Sequence, residues 1–155
     1  MNILSTQYSL ETKSLEIYVA GCSGNPHCAN CHNHESWDFK QGTKYNEKYF
    51  SHIKNKIKDF DALIDNIMIL GGEPLDQNID ELIHLLFDLN TLNKKIWLFT
   101  RYEIEQIPNE VIKFCDYIKT GKYIPELKTD NNIQYGIKLA TSNQKIIKCR
   151  DKLLI

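Results

Sequence analysis

The chain lacks any apolar run long enough to cross a bilayer. Its longest such stretches, Ile67-Met-Ile-Leu70 and Ile96-Trp-Leu-Phe99, fall far short of the roughly 20 residues a spanning helix needs. Residues 1–10 show no basic start followed by an apolar block, so no secretory signal is read there. An excess of one charge is missing too: 19 Lys and Arg stand against 20 Asp and Glu, a net charge of −1. No basic stripe therefore points to nucleic acid. Internal repeats, low-complexity tracts and linkers are also absent, which leaves one domain over residues 1–155. The five cysteines are an odd number, and three of them share one short segment. Without an export signal, that clustering favours a metal site over a disulfide framework and predicts a cytoplasmic protein with no membrane association.

What is present is the composition of an ordinary globular chain, 42% apolar and 25% charged over 155 residues, enough for a real core. Strand signals alternate with helix signals. Residues 15–20 read as a buried strand. Tyr49, Ile53, Ile57 and Phe60 then recur at helical spacing over 46–60. Ile67 to Leu70 predicts a second buried strand, and Asn78-Ile-Asp-Glu81 a capping box opening a helix with Ile79, Leu82, Ile83, Leu86 and Leu89 on its face. Ile96 to Phe99 is a third strand, Pro108 a first helical residue, and 117–119 and 145–148 are further strands. Such alternation predicts an α/β fold with a mostly parallel sheet. A complete eightfold barrel takes roughly 250 residues, so the expectation is a partial, open β/α barrel of about five strands.

Two loops carry the chemistry. Cys22-Ser-Gly-Asn-Pro-His-Cys28-Ala-Asn-Cys31 follows the first strand, and Gly71-Gly-Glu-Pro74 follows the second. Three thiolates suit either zinc, closed by His27, His32 or His34, or an iron–sulfur cluster with one metal position open. Ligands of parallel α/β folds bind at the carboxyl ends of strands, so both loops are expected side by side. Two adjacent glycines, an acid and a proline describe a rigid loop that lets backbone approach a ligand.

The ordered pair of motifs resembles the radical S-adenosylmethionine superfamily. Four segments also resemble the family that activates the anaerobic, glycyl-radical ribonucleotide reductase. They are Val19-Ala-Gly-Cys22 through Cys31-His-Asn33 with Ser36-Trp37; Leu70-Gly-Gly-Glu-Pro-Leu75; Ile96-Trp-Leu-Phe-Thr100 with Tyr102; and Gly121-Lys-Tyr123 followed by Thr141-Ser-Asn-Gln144. The chain is a divergent member by this resemblance. Its first two cysteines are five residues apart where the superfamily usually has three, and Glu11-Thr-Lys-Ser14 stands where a glycine-rich segment is usual.

The resemblance implies a [4Fe–4S] cluster on Cys22, Cys28 and Cys31, whose fourth iron binds the amino and carboxylate groups of S-adenosylmethionine. Gly71, Gly72, Glu73 and Pro74 would serve the methionine amino group, with Thr100 and Asn143 as further cofactor contacts. The cleaved cofactor would yield a 5′-deoxyadenosyl radical that takes hydrogen from a glycine of a partner, the large subunit of the anaerobic reductase. A low-potential donor such as flavodoxin or ferredoxin would supply the electron, and an open barrel side would admit the glycine loop. Other readings stay open: another glycyl-radical enzyme or a small molecule as substrate, or a zinc-binding module without catalysis. Residue by residue, Thr100 has a turn role as its alternative, and Ser142-Asn143-Gln144 a polar turn. Trp37 is a lid or a core anchor, Trp97 core, and Cys115 and Cys149 buried small hydrophobes. His52 and His84 are surface residues on helical patterns.

Overall fold

In chain order the elements are β1 (Asn2–Ser9), β2 (Ser14–Val19), β3 (Thr43–Lys44), α1 (Glu47–Asp59), β4 (Asn66–Gly71), α2 (Ile79–Asn90), β5 (Lys95–Phe99), α3 (Asn109–Ile112), β6 (Tyr117–Thr120), β7 (Ile133–Gln134), β8 (Ile137–Lys138) and β9 (Lys145–Lys148). They come from a computed structural model, in which residues 1–24 and 26–149 are described. Seven strands form one sheet in the order β3-β1-β2-β4-β5-β6-β9. β2, β4, β5 and β6 run parallel, with Leu15 opposite Ile67, Ile67 opposite Ile96, and Trp97 opposite Tyr117. β1, β3 and β9 pair antiparallel at the two edges. The architecture is α/β with a parallel centre, as the alternation of signals predicted, but two strands wider than the expected five.

Period-two alternation makes the sheet two-sided. Leu15, Ile17 and Val19 of β2, Ile67 and Ile69 of β4, Ile96 and Leu98 of β5 and Ile118 of β6 belong to the main core. Ile53 and Ile57 of α1 and Leu82, Leu85, Leu86 and Leu89 of α2 share that core. Each such side chain, taken fully from water, contributes about 1.5–3 kcal/mol before entropy is counted. Met68 and Trp97 point to the opposite face, where Leu139 and Ile146 meet them and Ile137 of the β7–β8 hairpin packs alongside. β4 is therefore buried on both faces.

Helix ends follow their side chains. The Asn46 carboxamide accepts from the Tyr49 N–H at 3.0 Å and starts α1. Asn78 accepts from the N–H groups of Asp80 and Glu81 at 3.1 and 3.2 Å. The expected reciprocal bond from Glu81 is not made, because its carboxylate takes the ammonium of Met1 instead. Pro108 is the cap residue before α3 rather than its first residue, and α3 is a single turn. The chain must rejoin the sheet at once: Asp116 N–H donates to Ile96 C=O and its carboxylate accepts from Ile96 N–H, both at 2.8 Å. No helix of the described residues is long and apolar enough to cross a membrane.

Candidate functional site

The four parallel strands end at one rim, and the loops that leave them enclose a cavity of about 310 Å³. Cys22, Cys28 and Cys31 line it together with Gly71, Gly72 and Glu73. Thr100, Arg101 and Lys119 add to its polar wall with Asn33 and Ser36, while Tyr18, Trp37, Leu70 and Phe99 supply the apolar part. The two unusual loops are thus neighbours, as their positions after β2 and β4 predicted.

Backbone hydrogen bonds join those loops. Gly21 N–H donates to Ser36 C=O at 2.7 Å and Cys22 N–H to Trp37 C=O at 3.2 Å. Glu73 N–H donates to Gly21 C=O at 2.7 Å, and Gly72 N–H to Val19 C=O at 2.9 Å. The Gln77 carboxamide gathers three more carbonyls, of Ala20, Gly21 and Glu73. Glycine at 72 is a matter of space: a Cβ there would stand 2.2 Å from Gly21 O and 2.8 Å from Ser36 O. Gly71 has φ of +106° as the strand turns away.

Within the cysteine loop, Cys31 N–H donates to Cys28 C=O at 3.2 Å. The His27 Nε2 lies 2.9 Å from Cys22 O, and its ring stacks on Trp37 at 3.7 Å between centroids. His27 therefore braces the loop and the indole wall. Among the described residues, no three His, Cys, Asp or Glu side chains converge on one metal-ion position. A mononuclear zinc needs its ligands gathered about a single centre, whereas a cluster takes each thiolate on a different iron. Three half-buried thiols line one cavity, a donor set that suits an iron–sulfur centre.

Glu73 is 3% exposed. Its carboxylate accepts from Thr100 Oγ1–H at 2.7 Å, Arg101 N–H at 2.9 Å and Leu75 N–H at 3.1 Å. Burial pushes its pKa up, and these three donors oppose the shift without cancelling it. Burial draws the Lys119 ammonium the other way, down to about 8. Lys119 Nζ donates to Gly121 C=O at 2.9 Å. Asp76 is the counterexample, for its burial is outweighed by hydrogen bonds from Tyr102 and Ser23 and by Arg101, which hold the carboxyl below its ordinary range. The Cys22 thiol is raised by burial, with the Gly24 N–H and Arg101 pulling against it.

Of the residues singled out in the sequence, Cys22, Cys28, Cys31, Gly71, Gly72, Glu73 and Thr100 share the cavity. The Thr100 hydroxyl donates to Glu73 and so braces the acid. Pro74 does not line the wall; it is buried and starts the turn Pro74–Asp76 that carries the chain away. Asn143 does not line it either. Its Nδ2 donates to Lys122 C=O at 2.8 Å, and its buried Oδ1 has no hydrogen-bond partner among the described residues. Sequence reasoning missed Asp76, Arg101 and Lys119, although each lies near the carboxyl end of a parallel strand, the place where site residues are expected.

The model of the 4Fe-4S single cluster domain family matches residues 12–147. The chain is 26% identical over 116 residues to an anaerobic ribonucleoside-triphosphate reductase-activating protein of Haemophilus influenzae, covering 71% of this chain and 74% of that protein. It is 24% identical over 115 residues to the protein of the same name from Pasteurella multocida, covering 69% and 72%. The resemblance to reductase-activating proteins, first read from the four segments, is borne out.

Proposed function

Because the chain belongs to the 4Fe–4S single cluster domain family, we propose that it is an iron–sulfur activase of the radical S-adenosylmethionine type, working on an anaerobic ribonucleotide reductase. One observation carries this reading: three thiols and the loop of Gly71, Gly72 and Glu73 face a single cavity at the carboxyl ends of parallel strands. Cys22, Cys28 and Cys31 would hold a [4Fe–4S] cluster through three of its irons. When bound, the cluster would supply one electron at low potential for reductive cleavage of S-adenosylmethionine, chemistry that would serve hydrogen abstraction from a glycine of the reductase large subunit.

The chain's own residues position and shield. Glu73, fixed by Thr100 and the Arg101 N–H, keeps a carboxylate ready for an amino group. The Trp37 indole, braced by His27, and the side chains of Leu70 and Phe99 form the apolar wall that excludes water. We read the 155 residues as one cytoplasmic domain and the sheet as an open partial barrel. Its uncovered side would admit the partner's glycine loop, and a flavodoxin or ferredoxin would be the donor.

The test is anaerobic reconstitution of the chain with iron and sulfide, reduction, and addition of S-adenosylmethionine and a candidate reductase. Release of 5′-deoxyadenosine with a glycyl doublet in the electron paramagnetic resonance spectrum is expected. Turnover on a small molecule without any protein partner would redirect the substrate assignment. Tight binding of zinc with no cofactor cleavage would end the radical reading.

A further inference from the structure

Arg101 lines the cavity, and both its terminal nitrogens are engaged. Nη1 donates to Cys22 Sγ at 2.9 Å. Nη2 donates to Asp76 Oδ2 at 3.0 Å and Oδ1 at 3.3 Å, and it lies 3.1 Å from the Tyr102 hydroxyl oxygen. Asp76 is pinned in turn by Tyr102 O–H at 2.6 Å and by Ser23 N–H at 2.8 Å. The Asp76 side chain is 3% exposed and that of Arg101 19%. Swinging the guanidinium away would leave a buried carboxylate without its cation, a change that is strongly unfavourable. Arg101 is therefore locked on the thiol before any ligand arrives, which is the arrangement of a tuning contact rather than of a receptor kept open for a substrate anion.

A positively charged donor on a cluster's sulfur ligand favours the more negative, reduced state. Hydrogen bonds to the sulfurs are among the factors that set iron–sulfur potentials. Charge-assisted bonds of this kind are roughly twice as strong as neutral ones. We propose that Arg101 is a positioning residue that holds the Cys22 sulfur and raises the reduction potential of the cluster bound there, with Asp76 and Tyr102 orienting it. The inference rests on the iron–sulfur reading above. The step it influences is uptake of one electron from the external donor, with no bond made or broken in the protein.

The experiment uses the full chain, reconstituted anaerobically as wild type, Arg101→Gln and Arg101→Lys. Iron and sulfide content are measured, and the cluster is titrated with dithionite under electron paramagnetic resonance. At the wild-type midpoint, Arg101→Gln is expected to show a reduced-to-oxidised ratio lower by roughly tenfold, about 59 mV for one electron. Arg101→Lys, which keeps charge but loses the planar fork, should fall between. A change below twofold in Arg101→Gln overturns the proposal. If that variant does not load, Arg101→Lys decides: a lower midpoint supports the proposal and an unchanged one overturns it. Loss of the cluster from both variants while the wild type loads also overturns it, since a tuning contact is not needed for assembly. A wild type that binds zinc alone removes the functional reading itself, a different result from any of these.

Discussion

Gly72→Ala tests whether the two site loops are one rigid unit. The added Cβ would lie 2.2 Å from Gly21 O, 2.7 Å from Gly21 C and 2.8 Å from Ser36 O. All three are backbone atoms, so no side chain can rotate aside, and relief requires the loop of Gly71, Gly72 and Glu73 to move off the cysteine loop. That movement strains or breaks the 2.7 Å bond from Glu73 N–H to Gly21 C=O and the Gln77 bridge beside it. Overpacking costs about 1–3 kcal/mol, and each lost hydrogen bond adds about 0.5–1.5 kcal/mol. The expected destabilisation is therefore roughly 2–4 kcal/mol, a fall in melting temperature of roughly 5–15 °C for a chain of this size. Gly136→Ala is the contrast. Nothing lies within 4 Å of its Cβ, but φ is +78°, so only the left-handed backbone is strained, at about 1–2 kcal/mol. Urea unfolding of the metal-free proteins measures both. The reasoning is wrong if Gly72→Ala loses less stability than Gly136→Ala, or if it keeps full iron loading after reconstitution.

Three other outcomes are expected. Cys22→Ala, Cys28→Ala and Cys31→Ala should each lose the iron–sulfur absorbance and 5′-deoxyadenosine formation. Cys115→Ala and Cys149→Ala, in the core at 0% and 2% exposure, should keep both at a stability cost on the order of 1 kcal/mol; cleavage by any of the first three contradicts the ligand assignment. Lys119 titrates near 8 when folded against 10.5 ordinarily, so between those values the unfolded chain binds more protons and stability rises with pH, while below 8 the burial penalty is constant. Subtracting the Lys119→Met pH profile in urea should isolate that rise, and superimposable profiles would refute it. Asn78→Ala removes the side-chain acceptor for two N–H groups at the start of α2 and should cost about 1 kcal/mol by thermal melting; a neutral change would show that water caps the helix equally well.

The central strands were legible because burial imposes a pattern. Residues of β4 are buried on both faces, which forces the continuous apolar run Ile67-Met-Ile-Leu70. β1 offered no such pattern: Ile3 is its only buried position, since beyond Asn2 and Ile3, which pair with the two-residue β3, it is the outermost strand on that side of the sheet and packs little. The metal and glycine loops were legible for a different reason. Clustered cysteines and paired glycines are costly or useless outside a special role, so their mere presence is informative.

Charged residues carry no such signal alone. Glu73 and Asp76 stand three apart, a spacing that equally suits two acids on a solvated turn. Pro74 makes them otherwise by starting the short turn Pro74–Asp76, which sends one carboxylate to Thr100 and the Arg101 N–H and the other to the Arg101 guanidinium. Both destinations lie just beyond β5, a strand remote in sequence but adjacent in the sheet. What makes Arg101 part of the site is thus the parallel register of β4 against β5. That is a long-range property, visible from sequence only by asking which polar residues directly follow each parallel strand. Applied to Phe99, the question returns Thr100 and Arg101 together, and the first was singled out without the second.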